Sequence, residues 1–101
     1  MLDPYLLSVA SKLSAGLSYG QVDMDIFQLN LDREWRTRMA SILDLFQESP
    51  THLIDAYLQE EDELYQLEQW FAQSESWEWC ACLRDKRAKL TADRLALERA
   101  T

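Results

Sequence analysis

Residues 50–72 read PTHLIDAYLQEEDELYQLEQWFA, and this stretch decides the fold. Its apolar residues are Leu53, Ile54, Tyr57, Leu58, Leu64, Tyr65, Leu67 and Phe71, returning at spacings of three, four and seven. That is a helical period, not the alternation of a strand. At about 100° per residue they cover roughly half the circumference. A stripe that wide predicts a helix held between two neighbours rather than laid on one. Ser49 is a good cap, and Pro50 suits the first helical position, where its missing N–H costs nothing. Glu61 and Glu68 fall inside the stripe rather than opposite it.

Working outward, the polar break Gln73-Ser74-Glu75-Ser76 leads into a second helical pattern over roughly 77–99. Leu83, Leu90 and Leu97 repeat at heptads with Trp79 one turn earlier, and Cys80, Arg87 and Arg94 run beside them. So short a break implies antiparallel neighbours. A hairpin folded about residue 74 sets Glu61 level with Arg87, which predicts that ion pair.

On the other side, Trp35, Met39, Ile42, Leu43 and Phe46 form a helical stripe after Asp32, a plausible cap. Arg33, Arg36 and Arg38 would then lie in the first turns, where the helix dipole disfavours cations. Acids on a neighbouring element are expected to make those positions useful. The first helix opens with Asp3 as cap and Pro4, and Leu2, Leu6, Val9, Ala10, Leu13 and Leu17 share a face. Gly16 and Gly20 end it, with Ser18 and Tyr19 in the turn.

Residues 21–31 carry two readings. Val22, Met24 and Ile26 alternate with polar residues, and Phe27, Leu29 and Leu31 alternate in the opposite phase, as in a bulged strand. Val22, Ile26, Phe27 and Leu31 equally suit a short helix. Helix is favoured, because a lone strand has no partner. The expected fold is all-α, a compact antiparallel bundle of about four helices in one domain over 1–101. The runner-up is α+β, with a small hairpin from 21–31 and 76–83.

Charge is unevenly placed. From Met39 to Cys82, 44 residues hold ten carboxylates and no lysine or arginine, while the 19 that follow carry a net +3. The chain totals −8, which argues against direct binding to nucleic acid or to an anionic membrane. No apolar run is long enough to span a bilayer, and the start lacks the pattern of a signal peptide. Cys80 and Cys82 are too close to build a disulfide framework and suit a reducing compartment, so a cytoplasmic location is expected.

Four features are candidates for function. Glu60-Glu61-Asp62-Glu63 cannot form one chelating site, since four consecutive helical residues point in all directions. They read as a solvated face or as an anionic docking surface. Trp70, Phe71, Trp77 and Trp79 flank the break, with Phe71 and Trp79 expected inside and Trp70 or Trp77 outside. On a helix, Cys80 and Cys82 lie about 200° apart and cannot share a metal. They read as small buried hydrophobes. His52 reads as a surface or capping residue.

No nucleotide loop, zinc motif, nucleophile elbow or EF-hand is present. No enzyme activity, cofactor or metal is therefore expected. The leading expectation is a non-catalytic interaction module, an adaptor, assembly chaperone or stoichiometric inhibitor. It would dock a basic partner, a nucleic-acid-binding protein among the candidates, through Glu60, Glu61, Asp62, Glu63, Trp70 and Trp77. Replacing Glu60, Asp62 and Glu63 together with Lys is then expected to remove binding at little cost in melting temperature. The alternatives are a nucleic-acid mimic of the phage anti-defence or immunity type, and a structural homodimer using the heptad leucines.

Overall fold

A computed structural model describes residues 2–17 and 24–101. Four helices follow in order: α1 (Pro4–Leu13), α2 (Met24–Phe46), α3 (Pro50–Gln73) and α4 (Trp77–Ala100), with no strand among the described residues. The expected hairpin between 21–31 and 76–83 does not form, since residues 24–31 and 77–83 are helical. Ser18, Tyr19, Gly20 and Val22 lie outside the described residues.

α2 runs through position 32 without a break, so Asp32 is not a cap. Phe27, Leu31 and Trp35, at successive i+4 steps, form one buried stripe that joins the two segments read separately from sequence. Arg33, Arg36 and Arg38 are accordingly mid-helix residues, and the dipole objection to them disappears.

α1 forms as expected. The Asp3 carboxylate accepts a 2.8 Å hydrogen bond from the Leu6 amide, and Leu2, Leu6, Val9, Ala10 and Leu13 are buried with Leu17 packed on their edge. The carbonyl of its last residue, Leu13 (3.0 Å), and that of Ala15 in the turn beyond (2.9 Å) both accept from the Asn30 amide on α2. Gly16, at φ +84°, takes the left-handed turn that follows.

α2, α3 and α4 pack on one another, and α1 covers the groove between α2 and α3. The wide stripe of α3 thus meets three helices. Phe27 meets Trp79 and Asp32 meets Lys86, so α2 and α4 run parallel, with α3 antiparallel to both. The core is drawn from all four helices, and each fully buried leucine or phenylalanine stabilises it by about 1.5–3 kcal/mol.

The α3–α4 turn is a Schellman motif. The Ser76 amide donates to the Phe71 carbonyl (3.1 Å) and the Glu75 amide to the Ala72 carbonyl (3.0 Å). Glu75 occupies the left-handed position, at φ 60°. Glycine is the residue that takes this conformation without a steric penalty.

Candidate functional site

The four acids at 60–63 take separate paths. Glu60 and Glu63, one turn apart, both face α2 and converge on Arg38 Nη1 at 2.8 and 2.7 Å. All three side chains are close to 90% buried. Arg38 also reaches Glu34 at 3.4 Å and donates to the Tyr5 hydroxyl. Its guanidinium lies 4.5 Å from the Trp35 ring centroid. One arginine therefore ties α1, α2 and α3 together. Burial, then the neighbouring Glu60 charge, pushes the Glu63 carboxyl above its ordinary value.

Glu61 faces α4, but its partner is Arg94 (2.6 Å) rather than Arg87. Arg87 pairs with Glu68 (2.9 Å), so the expected Glu61–Arg87 pair is displaced by one heptad. Helical side chains lean toward their own N-terminus. In an antiparallel hairpin, the glutamate on α3 leans away from the turn and the arginine on α4 leans toward it. They meet only if the glutamate backbone is nearer the turn, by a seven-residue offset worth about 10 Å. Level backbones would leave the two heads pointing past each other.

Of the six residues expected to face a partner, only Asp62 and Trp77 are exposed. Asp62 accepts from the Gln66 amide at 2.7 Å on the outer face of α3. Trp70 is half-buried, edge-on to Phe71 at 5.0 Å and beside Leu2. Because Glu60 and Glu63 carry Arg38, replacing them with lysine removes structure as well as surface charge. A lowered melting temperature, not an unchanged one, is expected of that variant.

A different cluster stands at the turn end of the bundle. Phe27, Phe71 and Trp79 form its floor: Phe27 stacks on Trp79 at 4.8 Å, and Phe71 meets both rings edge-on. Trp77, two residues and about 200° before Trp79 on the helix, opens α4 and is 61% exposed. Met24, exposed, opens α2 at the same end. Glu75 and Glu78 neighbour Trp77 in sequence and Asp25 follows Met24, and none of the three makes an ion pair among the described residues. The result is an exposed indole at the start of α4, flanked in sequence by two carboxylates without ion-pair partners among the described residues.

The remaining candidates are structural. Cys80 and Cys82 are free, buried thiols, both pushed up by burial, and Cys80 Sγ lies 3.3 Å from the Glu68 carbonyl. His52 is exposed in the first turn of α3, with Nδ1 2.5 Å from the Ser49 hydroxyl. Among the described residues no group of three or more His, Cys, Asp or Glu is placed to hold a metal ion. No described helix is long and apolar enough to cross a membrane.

Sequence reasoning missed the singular role of Arg38 and the Asp32–Lys86 pair (2.6 Å). A signal for the first was present. At about 100° per residue, Arg38 sits roughly 60° to one side of Trp35 and Arg36 about 100° to the other. The two arginines therefore flank the buried stripe, Arg38 facing α3 and Arg36 lining the groove beside α4. Comparison with family models, with characterised proteins and with solved structures finds no match to this chain.

Proposed function

We propose that this chain is a non-catalytic, acidic helical interaction module that docks a basic partner through the turn end of the bundle. Trp77 is the anchor, and Glu75 and Glu78, its neighbours along the chain, form the charged rim. An adaptor, an assembly chaperone or a stoichiometric inhibitor would each work this way. The two buried, unpaired thiols support a reducing compartment, the cytoplasm.

The observation that carries this reading is Glu75 at φ 60°, two residues before a tryptophan that is 61% exposed. A non-glycine residue held where glycine is cheaper costs stability, and the indole beside it stays in water and returns none. Strain retained at an exposed site points to use of the side chain that causes it. Tryptophan is also the residue type most enriched among binding hot spots. Glu60, Glu61 and Glu63 pass from the expected docking surface to the fold. Their engagement by Arg38 and Arg94 also weighs against nucleic-acid mimicry, which needs free carboxylates. The heptad leucines do not serve a homodimer, since Leu83 and Leu90 are buried in the core and Leu97 packs against it; Leu43 and Leu45, exposed near the C-terminal end of α2, support one by another face. Sedimentation measures that directly.

The test is a tagged pull-down from lysate of the source organism or its host, with and without nuclease, at low and moderate salt. The wild-type chain and Asp62→Lys should retain a stoichiometric basic protein. Trp77→Ala and the double variant Glu75→Lys/Glu78→Lys should lose it with melting temperatures nearly unchanged. Retention by both variants rejects the turn end. Loss with Asp62→Lys returns the site to the outer face of α3.

A further inference from the structure

α1 closes the groove between α2 and α3, while the groove between α2 and α4 stays open. Its volume is about 370 Å³, inside the range of small-molecule sites, roughly 300–1,000 Å³. Trp35, Met39 and Leu90 form the apolar part of its lining. Arg36, Lys86 and Lys89 supply cations, and Asp32 and Asp93 supply carboxylates.

The state of those cations sets the chemistry. Arg38, Arg84, Lys86, Arg87 and Arg94 are all held by carboxylates within 4 Å, and Lys12 lies 4.0 Å from Glu34. Among the described residues only Arg33, Arg36, Lys89 and Arg99 make no ion pair. Two of these four line this groove, and Arg33 sits on the preceding turn of α2, next to Arg36. In a chain of net charge −8, free cations concentrate beside an apolar surface. Lys86 is closed onto Asp32, which Gln28 also holds at 2.9 Å.

We infer that the α2–α4 groove binds a small amphiphilic anion, a carboxylate or phosphate carried on a short apolar chain or ring. The anionic head sits between Arg36 and Lys89, and the apolar body lies on Trp35, Met39 and Leu90. Asp93 limits affinity by repulsion, so its charge sets how tightly the head is held. This site stands apart from the docking surface at the turn end and does not depend on it.

The experiment is amide and indole NMR of the 15N-labelled chain titrated with octanoate and with octyl phosphate. Octanol and inorganic phosphate serve as single-feature controls. Both anions should shift the Trp35 indole and the backbone amides of 35–39 and 86–93, and the tighter one identifies the preferred head. Each control should bind at least about tenfold more weakly, the equivalent of one lost charge-assisted contact. Arg36→Ala/Lys89→Ala should weaken both anions by about tenfold or more, with an unchanged amide spectrum outside the groove. Asp93→Asn should tighten them. Absence of groove shifts up to millimolar anion overturns the inference. So does binding of octanol equal to octanoate, or unaltered affinity in the Arg36/Lys89 variant.

Discussion

Two acidic clusters on this chain look alike as sequence and differ in their role. Glu60, Glu61 and Glu63 lie in the middle of α3, where α2 and α4 each present an arginine at the right height. They are consumed by the fold. Glu75 and Glu78 lie at the turn, where the nearest base along α4 is Arg84, which itself reaches back to Glu68 at 3.5 Å. They stay free. Local composition therefore says little about whether a carboxylate belongs to the core or to a surface. What decides is the presence of a cation whose side chain leans toward it from a neighbouring helix.

Charge reversal gives the sharpest test of that difference. Glu60→Lys/Glu63→Lys places three cations together at a nearly closed site around Arg38. Breaking a buried pair costs about 3–5 kcal/mol, equivalent to a melting temperature lower by roughly 15–30 °C for a domain of this size. The same reversal at Glu75 and Glu78 should shift stability by less than about 0.5 kcal/mol, as for most surface substitutions. Thermal unfolding followed by circular dichroism reads both. Equal losses would erase the distinction between the two clusters.

The aromatic residues repeat the contrast within one turn of helix. Trp79→Ala removes a ring stacked on Phe27 and edge-on to Phe71, and should cost about 3 kcal/mol. Trp77→Ala removes an exposed ring and should be close to neutral. Urea midpoints of the two variants measure the difference. A loss at Trp77 as large as that at Trp79 would make it part of the plug and remove the anchor of the proposed interface.

How much of this was legible follows the same line. Local spacing identified the buried face of α1 and α4, because each stripe repeats within a few residues (Leu6, Val9, Ala10 and Leu13; Leu83 and Leu90), but it drew the stripes of α2 and α3 too wide: Leu43, Leu58 and Tyr65 are exposed. It also placed Glu61 and Glu68 inside the α3 stripe. What spacing could not reach was the junction of 24–31 with 32–46. Asp32 looks like a cap when read alone and proves to be a partner of Lys86, 54 residues away. The heptad slip between Glu61 and Arg94 was equally hidden, since it arises from side-chain lean rather than backbone level. Arg38 drew attention as one of three arginines, but its choice of Glu60 and Glu63 depends on which helix lies on which flank.

A milder change separates the clusters by sign. Glu75→Gly relieves the left-handed strain and should raise stability by about 1 kcal/mol, while weakening partner capture. No single replacement at Glu60 should stabilise, because it leaves Arg38 with a thinner ring of carboxylates. A Glu75→Gly chain that is no more stable than wild type would mean that the turn is not strained as described.

The smallest expected effect concerns proton binding at Glu63. Its folded carboxyl lies above the ordinary value of 4.5, raised first by burial and then by Glu60. The folded chain therefore holds that proton more tightly than the unfolded chain does. Stability from this group is present below about pH 4.5 and declines as pH rises through the folded value. Asp32 behaves in the opposite way. The hydrogen bond from Lys86 holds its carboxyl below 3.8, so its contribution is present above that value and is lost in acid. Glu63→Gln should accordingly gain on wild type between pH 4 and pH 7, whereas Asp32→Asn should lose ground over a window that begins lower, below pH 4. Urea midpoints for the three chains at pH 3, 4 and 7 carry the comparison. Parallel behaviour of the two variants would show that Arg38 holds Glu63 as an ordinary ion-pair partner, with Glu60 imposing no penalty.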